Sequence, residues 1–162
     1  MGDVRGLTER ELETWQGFLA ASTLLTRLVE QQLKDDAGLS HPQYEVLARL
    51  AAADGCLRMT ELAGAALTSK SGLTYQVAQL EKAGLVGRRS CAGDDRGVIA
   101  FLTDRGRAEL RAAAAGHAAL VRELFVDGLT EEQFSGLRKG VQALRAHLGD
   151  SGKPVGAQTA DR

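Results

Sequence analysis

One short hairpin interrupts a chain whose other segments repeat apolar residues at helical spacing. The segment Gly87–Thr103 reads GRRSCAGDDRGVIAFLT, in which two arginines precede a turn sequence and a β-branched run follows it. Short apolar runs at Leu85-Val86 and Val98–Phe101 predict two strands around a turn at Ala92–Asp95. An isolated hairpin among helices limits the fold to a mainly α protein with a small β element.

The first two helices carry start and stop signals. Thr8 and Glu11 form a capping box, in which each side chain bonds the backbone N–H of the other residue. Apolar residues then recur at intervals of three and four up to Gly38, which predicts one long helix. Ser40–Gln43 opens a second helix, since Pro42 is tolerated in a first turn where its missing N–H costs nothing.

Two more helices are predicted between these and the hairpin. Thr60 is expected to cap a short one. Thr68 or Ser69 is expected to cap a longer one from about Lys70 to Ala83, and Gly84 is a suitable stop for it.

Two helices also follow the hairpin. Thr103 is the expected cap of one that runs from Asp104 to about Asp127 and ends at Gly128. Thr130–Gln133 forms a capping box for the last helix, which is predicted to run through Leu148.

Composition is that of an ordinary globular protein. Of the 162 residues, 44% are hydrophobic and 25% are charged, and this length fits one principal domain. No apolar run approaches the roughly 20 residues of a membrane span. The start MGDVRGLTERE lacks the features of a secretory signal, and Cys56 and Cys91 lack disulfide-framework or zinc-finger spacing. We therefore expect a cytoplasmic protein.

Positive charge is concentrated in the middle of the chain. Between Leu57 and Arg107 there are eight Lys or Arg residues and five Asp or Glu residues, and eight minus five is +3. The whole chain carries −1, so the remaining segments sum to −4. Local charge matters more than net charge for attracting a polyanion, so the middle third is the part suited to nucleic acid.

The order of elements around the hairpin also favours DNA. A short helix, a turn and a second helix with a polar outer face allow one helix to enter a major groove while its neighbour braces it. A hairpin that carries Arg88, Arg89 and Arg96 can then reach the adjoining minor groove or the phosphates. We interpret the hairpin as a wing.

The same segments resemble the winged helix-turn-helix regulators of the MarR type. The resemblance is carried by Leu57–Ala63, Ser69–Thr74, Leu80–Val86, Asp94–Val98 and Leu102–Gly106. The last two are similar to the Asp-x-Arg wing tip and the Leu-Thr-x-x-Gly helix start of that family. The resemblance spans about Leu7 to Leu148.

The resemblance implies a particular domain organisation. It implies a winged helix-turn-helix lobe at residues 39–103, flanked by dimerisation helices at 7–37 and 104–148. The segment 149–162 has no apolar periodicity and is expected to be a disordered tail. The resemblance further implies a homodimer that presents two recognition helices and two wings to a pseudo-palindromic operator. Such proteins usually repress transcription until a small, often aromatic or anionic, molecule or an oxidant lowers their DNA affinity.

This chain departs from many relatives in its recognition helix. It has Tyr75, Ala78 and Gln79 where many relatives have Arg, Asp and Arg, so we expect a different operator sequence. We expect base contacts from the polar side chains of this helix and from Gln76 or Gln79, with Lys70 near a phosphate. The residues predicted to contact DNA are Arg58, Ser69, Lys70, Ser71, Thr74, Tyr75, Gln76, Gln79, Arg88, Arg89, Asp94 and Arg96.

Alternatives remain open for several of these side chains. Asp94 is interpreted as holding Arg96 extended into a groove, and the alternative is a solvated ion pair in a turn. Arg58 is predicted to contact a phosphate, and the alternative is a solvated arginine just before the short helix. Arg88 and Arg89 alternate in direction along a strand, so at most one of them faces DNA and the other is structural.

The cysteines and histidines give weaker predictions. Cys91 in the hairpin is open to oxidation, but some relatives that sense oxidants place the reactive thiol near the start of the first helix, where this chain has none. Cys56 is interpreted as a packing residue. His41, His117 and His147 lie on three helices without ligand spacing, so we predict neither a metal site nor a cofactor.

An effector pocket is the second predicted site. The residues expected to line it are Trp15, Phe18, Tyr44 and Leu47, for which ordinary core packing is the alternative, and His117, for which a pH-sensitive dimer contact is the alternative. The chain has no Gly-rich phosphate loop, Ser/His/Asp order or paired carboxylates, so an enzyme is not expected. A protein-interaction adaptor with a degenerate winged helix is the alternative function.

Overall fold

The fold is that of a computed structural model, which describes residues 6–65, 70–91 and 94–150; for residues 65, 70, 91, 94–96 and 150 the description is limited to the backbone. The chain divides into two compact units, Met1–Leu120 and Val121–Arg162. The elements of the first unit are α1 (Glu9–Ala37), α2 (His41–Ala52), β1 (Cys56–Arg58), α3 (Met59–Ala65), α4 (Lys70–Lys82), β2 (Val86–Cys91), β3 (Asp94–Leu102) and α5 (Asp104–Val121). The second unit holds a π-helical turn (Arg122–Val126) and α6 (Glu131–Asp150).

The predicted caps of α1 and α2 are confirmed. The Thr8 side chain accepts a bond from the N–H of Glu11, and Glu11 accepts one from the N–H of Thr8 at 2.7 Å. Gly38 ends α1 with a left-handed φ of 64°, a conformation that costs glycine little. Ser40 and Gln43 make a second capping box at the start of α2.

The start of α3 differs from the prediction. The helix begins at Met59, so Thr60 lies inside it and is not its cap. The carboxylate of Glu61 instead accepts a bond from the N–H of Arg58 at 3.1 Å. The difference arises because β1 ends at Arg58 and leads directly into the helix. Thr68 and Ser69, the expected caps of α4, lie outside the described residues.

The sheet has three antiparallel strands in the order β1-β3-β2, where two were predicted. The strand β1 is only three residues long and pairs with the far end of β3, as in the pair Leu57 and Ala100. The strands β2 and β3 extend to Cys91 and Asp94, which pair with each other beyond an irregularity in register. Asp94 and Asp95, which were predicted in the turn, therefore belong to β3, and Leu85 lies before β2 and not within it.

Thr103 caps α5 as predicted and also binds the turn that precedes β2. Its hydroxyl accepts a bond from the N–H of Gly106 at 3.0 Å and donates to the carbonyl of Gly84 at 2.8 Å. The predicted single helix from Asp104 to about Asp127 is an α-helix to Val121 followed by the π-helical turn.

The second unit begins its last helix with the capping box that was predicted. The N–H of Gln133 donates to the Thr130 hydroxyl at 3.3 Å, and the Gln133 side chain accepts from the N–H of Thr130 at 2.9 Å. The helix α6 ends at Asp150, so Gly149 and Asp150, which were predicted in the tail, are helical. The other tail residues, 151–162, lie outside the described part of the chain.

The main core joins α2, α3 and α4 to the sheet. Its fully enclosed side chains include Leu47, Leu50, Leu62 and Val77, each worth roughly 1.5–3 kcal/mol when removed from water. A smaller cluster joins α1, α2 and α5 through Val29, Leu33, Tyr44 and Ala113. As a result, α4 and the hairpin pack against the same core.

Two helices expose apolar side chains. On α1 the exposed residues include Leu12, Trp15, Phe18, Leu19, Leu24 and Leu28. On α6 they are Leu137, Val141, Leu144 and Leu148. No helix within the described ranges is long and apolar enough to span a membrane.

Candidate nucleic-acid interface

The helix α4 has one buried and one exposed face. Leu73, Val77 and Leu80 recur at helical spacing and are buried against the core. Ser71, Thr74 and Tyr75 are exposed, and Tyr75 has 60% of its surface accessible. This is the polar outer face that the sequence predicted. Lys70 begins the helix, but its side chain, like the whole of Ser69, lies outside the description.

The two glutamines lie on the flank of α4 and not on its outer face. Gln76 lines a depression together with residues of α1 and the start of α2. Gln79 lines another depression beside Gly38 and Arg105. Both side chains are half-buried, because they are adjacent to the buried positions Val77 and Leu80. Contacts from Gln76 or Gln79 to bases stay a prediction.

Arg88 and Arg89 lie on opposite faces of the sheet, as the alternation of a strand requires. Arg88 is paired with the buried Ala100, and its side chain is on the face directed toward the helices. Arg89 lies on the other face with its guanidinium carbon 5.5 Å from the centre of the Phe101 ring, a cation–π distance. The Phe101 ring packs on Gly87, where a β-carbon would overlap it.

Arg88 forms an ion pair with Glu81 at the end of α4. The Nε and Nη2 of Arg88 both donate to Oε2 of Glu81, with an Nε–Oε2 distance of 2.9 Å. The hydrogen bond from Arg88 holds the pKa of Glu81 below its ordinary value, and the same bond raises the pKa of Arg88. Sequence analysis missed Glu81. The signal that could have revealed the pair is that Glu81 and Arg88 lie seven residues apart with Gly84 between them.

A surface depression of about 340 Å³ lies between α3, α4 and the sheet. It brings together three residues predicted at DNA, Arg58, Thr74 and Arg88. The other residues that line it are Met59, Thr60, Gly97 and Val98. The cationic side chains that the sequence placed in two separate segments therefore meet on one surface.

The tip of the wing is described only by its backbone. Asp94 begins β3 and Arg96 is two residues further on. Their predicted ion pair and the exposure of the Cys91 side chain lie outside the description. The predicted roles of these three side chains stay predictions.

The residues predicted to line an effector pocket are not brought together. Trp15 and Phe18 stack on each other at 6.5 Å and are exposed on α1. Tyr44 and His117 are in contact, with ring centroids 4.5 Å apart. Leu47 has no exposed surface and belongs to the main core. Its place in the pocket stays a prediction, for which core packing was the alternative.

A histidine pair marks the junction of α2 and α5. The rings of His41 and His117 have centroids 6.4 Å apart. Burial lowers the pKa of His117 below its ordinary value of 6.5, and His41 lowers it further, while Glu45 acts in the opposite direction. Burial also raises the pKa of Tyr44. The backbone N–H of His41 donates to Glu30 at 2.6 Å, which ties α2 to α1.

A larger depression of about 690 Å³ lies beside His41. Its lining combines hydroxyl groups with one cation and one carboxylate. The lining residues are Ser22, Thr23, Thr26, Arg27, Glu30, Ser40, His41, Pro42 and Gln76. Sequence analysis missed the α1 members, although the hydroxyl side chains at 22, 23 and 26 share a helical face. In the described residues, His, Cys, Asp and Glu side chains form no group of three suited to a metal ion.

The chain is similar to known proteins in both sequence and fold. A model of the MarR family matches residues 37–97. The MarR family transcriptional regulator Sco3205 of Streptomyces coelicolor, solved in complex with DNA, is 39% identical; the match covers 96% of this chain and 98% of that one, with a TM-score of 0.89. Curated proteins gave no significant match.

Two other solved structures show the same fold. AbsC, a MarR family transcriptional regulator from Streptomyces coelicolor, is 37% identical over 91% of this chain and 100% of that one, with a TM-score of 0.86. BpsR of Bordetella bronchiseptica, whose DNA binding is regulated by 6-hydroxynicotinic acid, is 17% identical over 82% of this chain and 98% of that one, with a TM-score of 0.72. The mainly α fold with a small β wing is thus a winged helix-turn-helix.

Proposed function

The chain belongs to the MarR family of transcriptional regulators, and we propose that it represses transcription by binding a pseudo-palindromic operator as a homodimer. The single observation that supports DNA binding most strongly is the exposed polar face of α4 beside a hairpin that carries arginines. A helix with this face fits the major groove, which is about 12 Å wide. A relative 39% identical to this chain was solved in complex with DNA.

The exposed apolar side chains support the homodimer. Trp15 and Phe18 of α1 are 52% and 44% exposed, and leucines on either side of them are also exposed. In the second unit, four apolar residues of α6 are exposed at helical spacing. Exposed apolar residues at helical spacing, present in each of the two units, are typical of a protein interface. We propose that residues 7–37 and 104–148 form this interface and that residues 39–103 form the DNA-binding lobe.

We further propose that a small anionic molecule regulates DNA binding. The DNA binding of BpsR is regulated by 6-hydroxynicotinic acid, an aromatic acid. The depression beside His41 offers the guanidinium of Arg27 and several hydroxyl groups, which suit a carboxylate. Its lining includes His41, whose ring centroid is 6.4 Å from that of His117, one of the residues predicted for the effector site.

Binding of duplex DNA tests the proposal. The protein is used to select sequences from a random duplex pool, and the affinity for an enriched duplex is measured at several salt concentrations. We expect enrichment of a pseudo-palindrome and a steep fall of affinity with salt, because bound cations release counterions from DNA. The adaptor alternative predicts no enrichment and little salt dependence. That result would reject the proposed function.

A further inference from the structure

We infer that the Glu81–Arg88 ion pair is a positioning device, which sets the angle between α4 and the wing so that Arg88 supports operator recognition without contacting DNA. The inference rests on the proposed function and assigns a role to one of its predicted residues. It also answers which of the two neighbouring arginines is structural.

The Glu81–Arg88 pair bridges the chain segment that connects α4 to β2. That connection is the three residues Ala83–Leu85, with Gly84 in the left-handed region at a φ of 73°. On one side the connection is held by the Thr103 hydroxyl, which donates to the Gly84 carbonyl at 2.8 Å. On the other side Arg88 reaches back from β2 to Glu81 in the last turn of α4. Because the Thr103 hydroxyl and the Glu81–Arg88 pair both restrain this short connection, the direction in which β2 leaves α4 is fixed.

Small changes at this point are amplified at the wing tip. Cys91, the last residue of β2, lies three residues beyond Arg88, which is about 10 Å along the strand at roughly 3.3 Å per residue. On a lever of this length, a rotation of about 10° moves the tip by about 2 Å. Hydrogen bonds are formed only within a window of a few tenths of an ångström around 2.9 Å. Loss of the pair would therefore misplace whatever the tip contacts.

The geometry of Arg88 argues against a direct role at DNA. Its strand position pairs with the buried Ala100, so the side chain leaves the sheet toward the helices. Two of its donors are already used by Glu81. The Glu81 carboxylate also neutralises the charge that a phosphate would otherwise attract. Arg89, on the opposite face, has no such acidic neighbour in its described contacts.

A double-mutant cycle tests the inference. Glu81→Gln, Arg88→Gln and the double variant are compared with the unchanged protein for binding to the enriched duplex and to a scrambled duplex of the same composition. The measured quantities are the ratio of the two affinities at one salt concentration and the slope of the affinity for the enriched duplex against salt concentration. We expect each single variant to lower this ratio by about tenfold, which is the effect of losing one groove contact. The double variant should equal the single ones, because each change disables the same device.

Three other outcomes would overturn it. A phosphate contact from Arg88 predicts an unchanged ratio and a salt slope that falls by about 0.9 in Arg88→Gln, because phosphate contacts carry no sequence information. A base contact predicts that Arg88→Gln lowers the ratio while Glu81→Gln does not. A ratio unchanged in all three variants leaves the pair without a role in recognition.

Controls separate this result from folding and from the proposed function. The ion pair of Arg49 with Glu45 on α2 is matched in chemistry and involves no residue predicted to contact DNA, so Arg49→Gln with Glu45→Gln should leave the ratio unchanged. Thermal unfolding of every variant reports whether it folds. If the unchanged protein enriches no duplex, the proposed function fails. If it enriches one but the variants do not lower the affinity ratio as expected, only the inference about the ion pair fails.

Discussion

Thr103 offers the sharpest test of how the recognition helix, the wing and α5 are joined. We predict that Thr103→Val lowers the free energy of unfolding by about 2 kcal/mol. About 1 kcal/mol of this comes from the lost helix cap, since the N–H of Gly106 loses its 3.0 Å bond to the hydroxyl. A further ~1 kcal/mol comes from the Gly84 carbonyl, which loses the donor at 2.8 Å. Valine keeps the shape of threonine, so packing changes little.

Urea unfolding at a fixed protomer concentration measures this effect, since the stability of a dimer depends on concentration. Thr103→Ser is the matched control, because it retains the hydroxyl and should lose less than about 0.5 kcal/mol. Thr8→Val, at the exposed cap of α1 where the bond is 3.4 Å long, should also cost less. A loss below about 0.5 kcal/mol in Thr103→Val, or an equal loss in Thr103→Ser, would refute the assigned hydrogen bonds.

Four further predictions concern the core, the pH dependence and the wing. Gly106→Ala should cost about 1–3 kcal/mol in urea unfolding, because a β-carbon there overlaps the Leu85 carbonyl, whereas Gly64→Ala, with open space around it, should not destabilise. Leu47→Ala should cost about 2–5 kcal/mol as a core cavity, and a smaller loss would indicate a ligand-lining residue. The pKa of His117 is lowered in the folded state, so the unfolded state binds more protons and the free energy of unfolding should fall as pH drops through 6.5. His117→Gln should lessen that fall between pH 7.5 and pH 5.5. An equal dependence of the free energy of unfolding on pH in the variant and the unchanged protein would contradict the lowered pKa of His117. Arg96→Ala should fold normally yet lose most operator affinity, which a salt-controlled titration measures, and equal binding would remove Arg96 from the interface.

The sequence predicted the starts of four helices well because capping at a helix start is local. Thr8, Ser40, Thr103 and Thr130 each bond a backbone N–H within three residues, so their roles can be read without knowing the fold. The exception is α3. A strand leads into it without an intervening loop, so Thr60 lies inside the helix, and Glu61 accepts a bond from the N–H of Arg58 just before it.

The sheet was predicted less well because its pairing is not local. The strand β1 has three residues, too few to show alternation, and its partner Phe101 lies 45 residues beyond Cys56 (101 minus 56). The hairpin itself was visible because its strands adjoin in sequence and its turn is rich in Gly and Asp.

The candidate sites show a similar division. Helical spacing separated the exposed Thr74 and Tyr75 from the buried Leu73, but it placed Gln76 and Gln79 only near the boundary of the two faces. Spacing alone also cannot separate a core residue from one that lines a pocket. For this reason Leu47 and Tyr44, on the same helix, were assigned together although they belong to different clusters.

A hydroxyl-radical footprint on the enriched duplex tests most directly whether two copies of the protein bind DNA together. Two copies that each insert α4 into a major groove predict two protected half-sites about one helical turn apart, roughly 34 Å, related by a dyad. Minor-groove protection outside each half-site should mark the wings and should be lost in Arg96→Ala. A single protected site, or uniform protection without this period, would contradict the account.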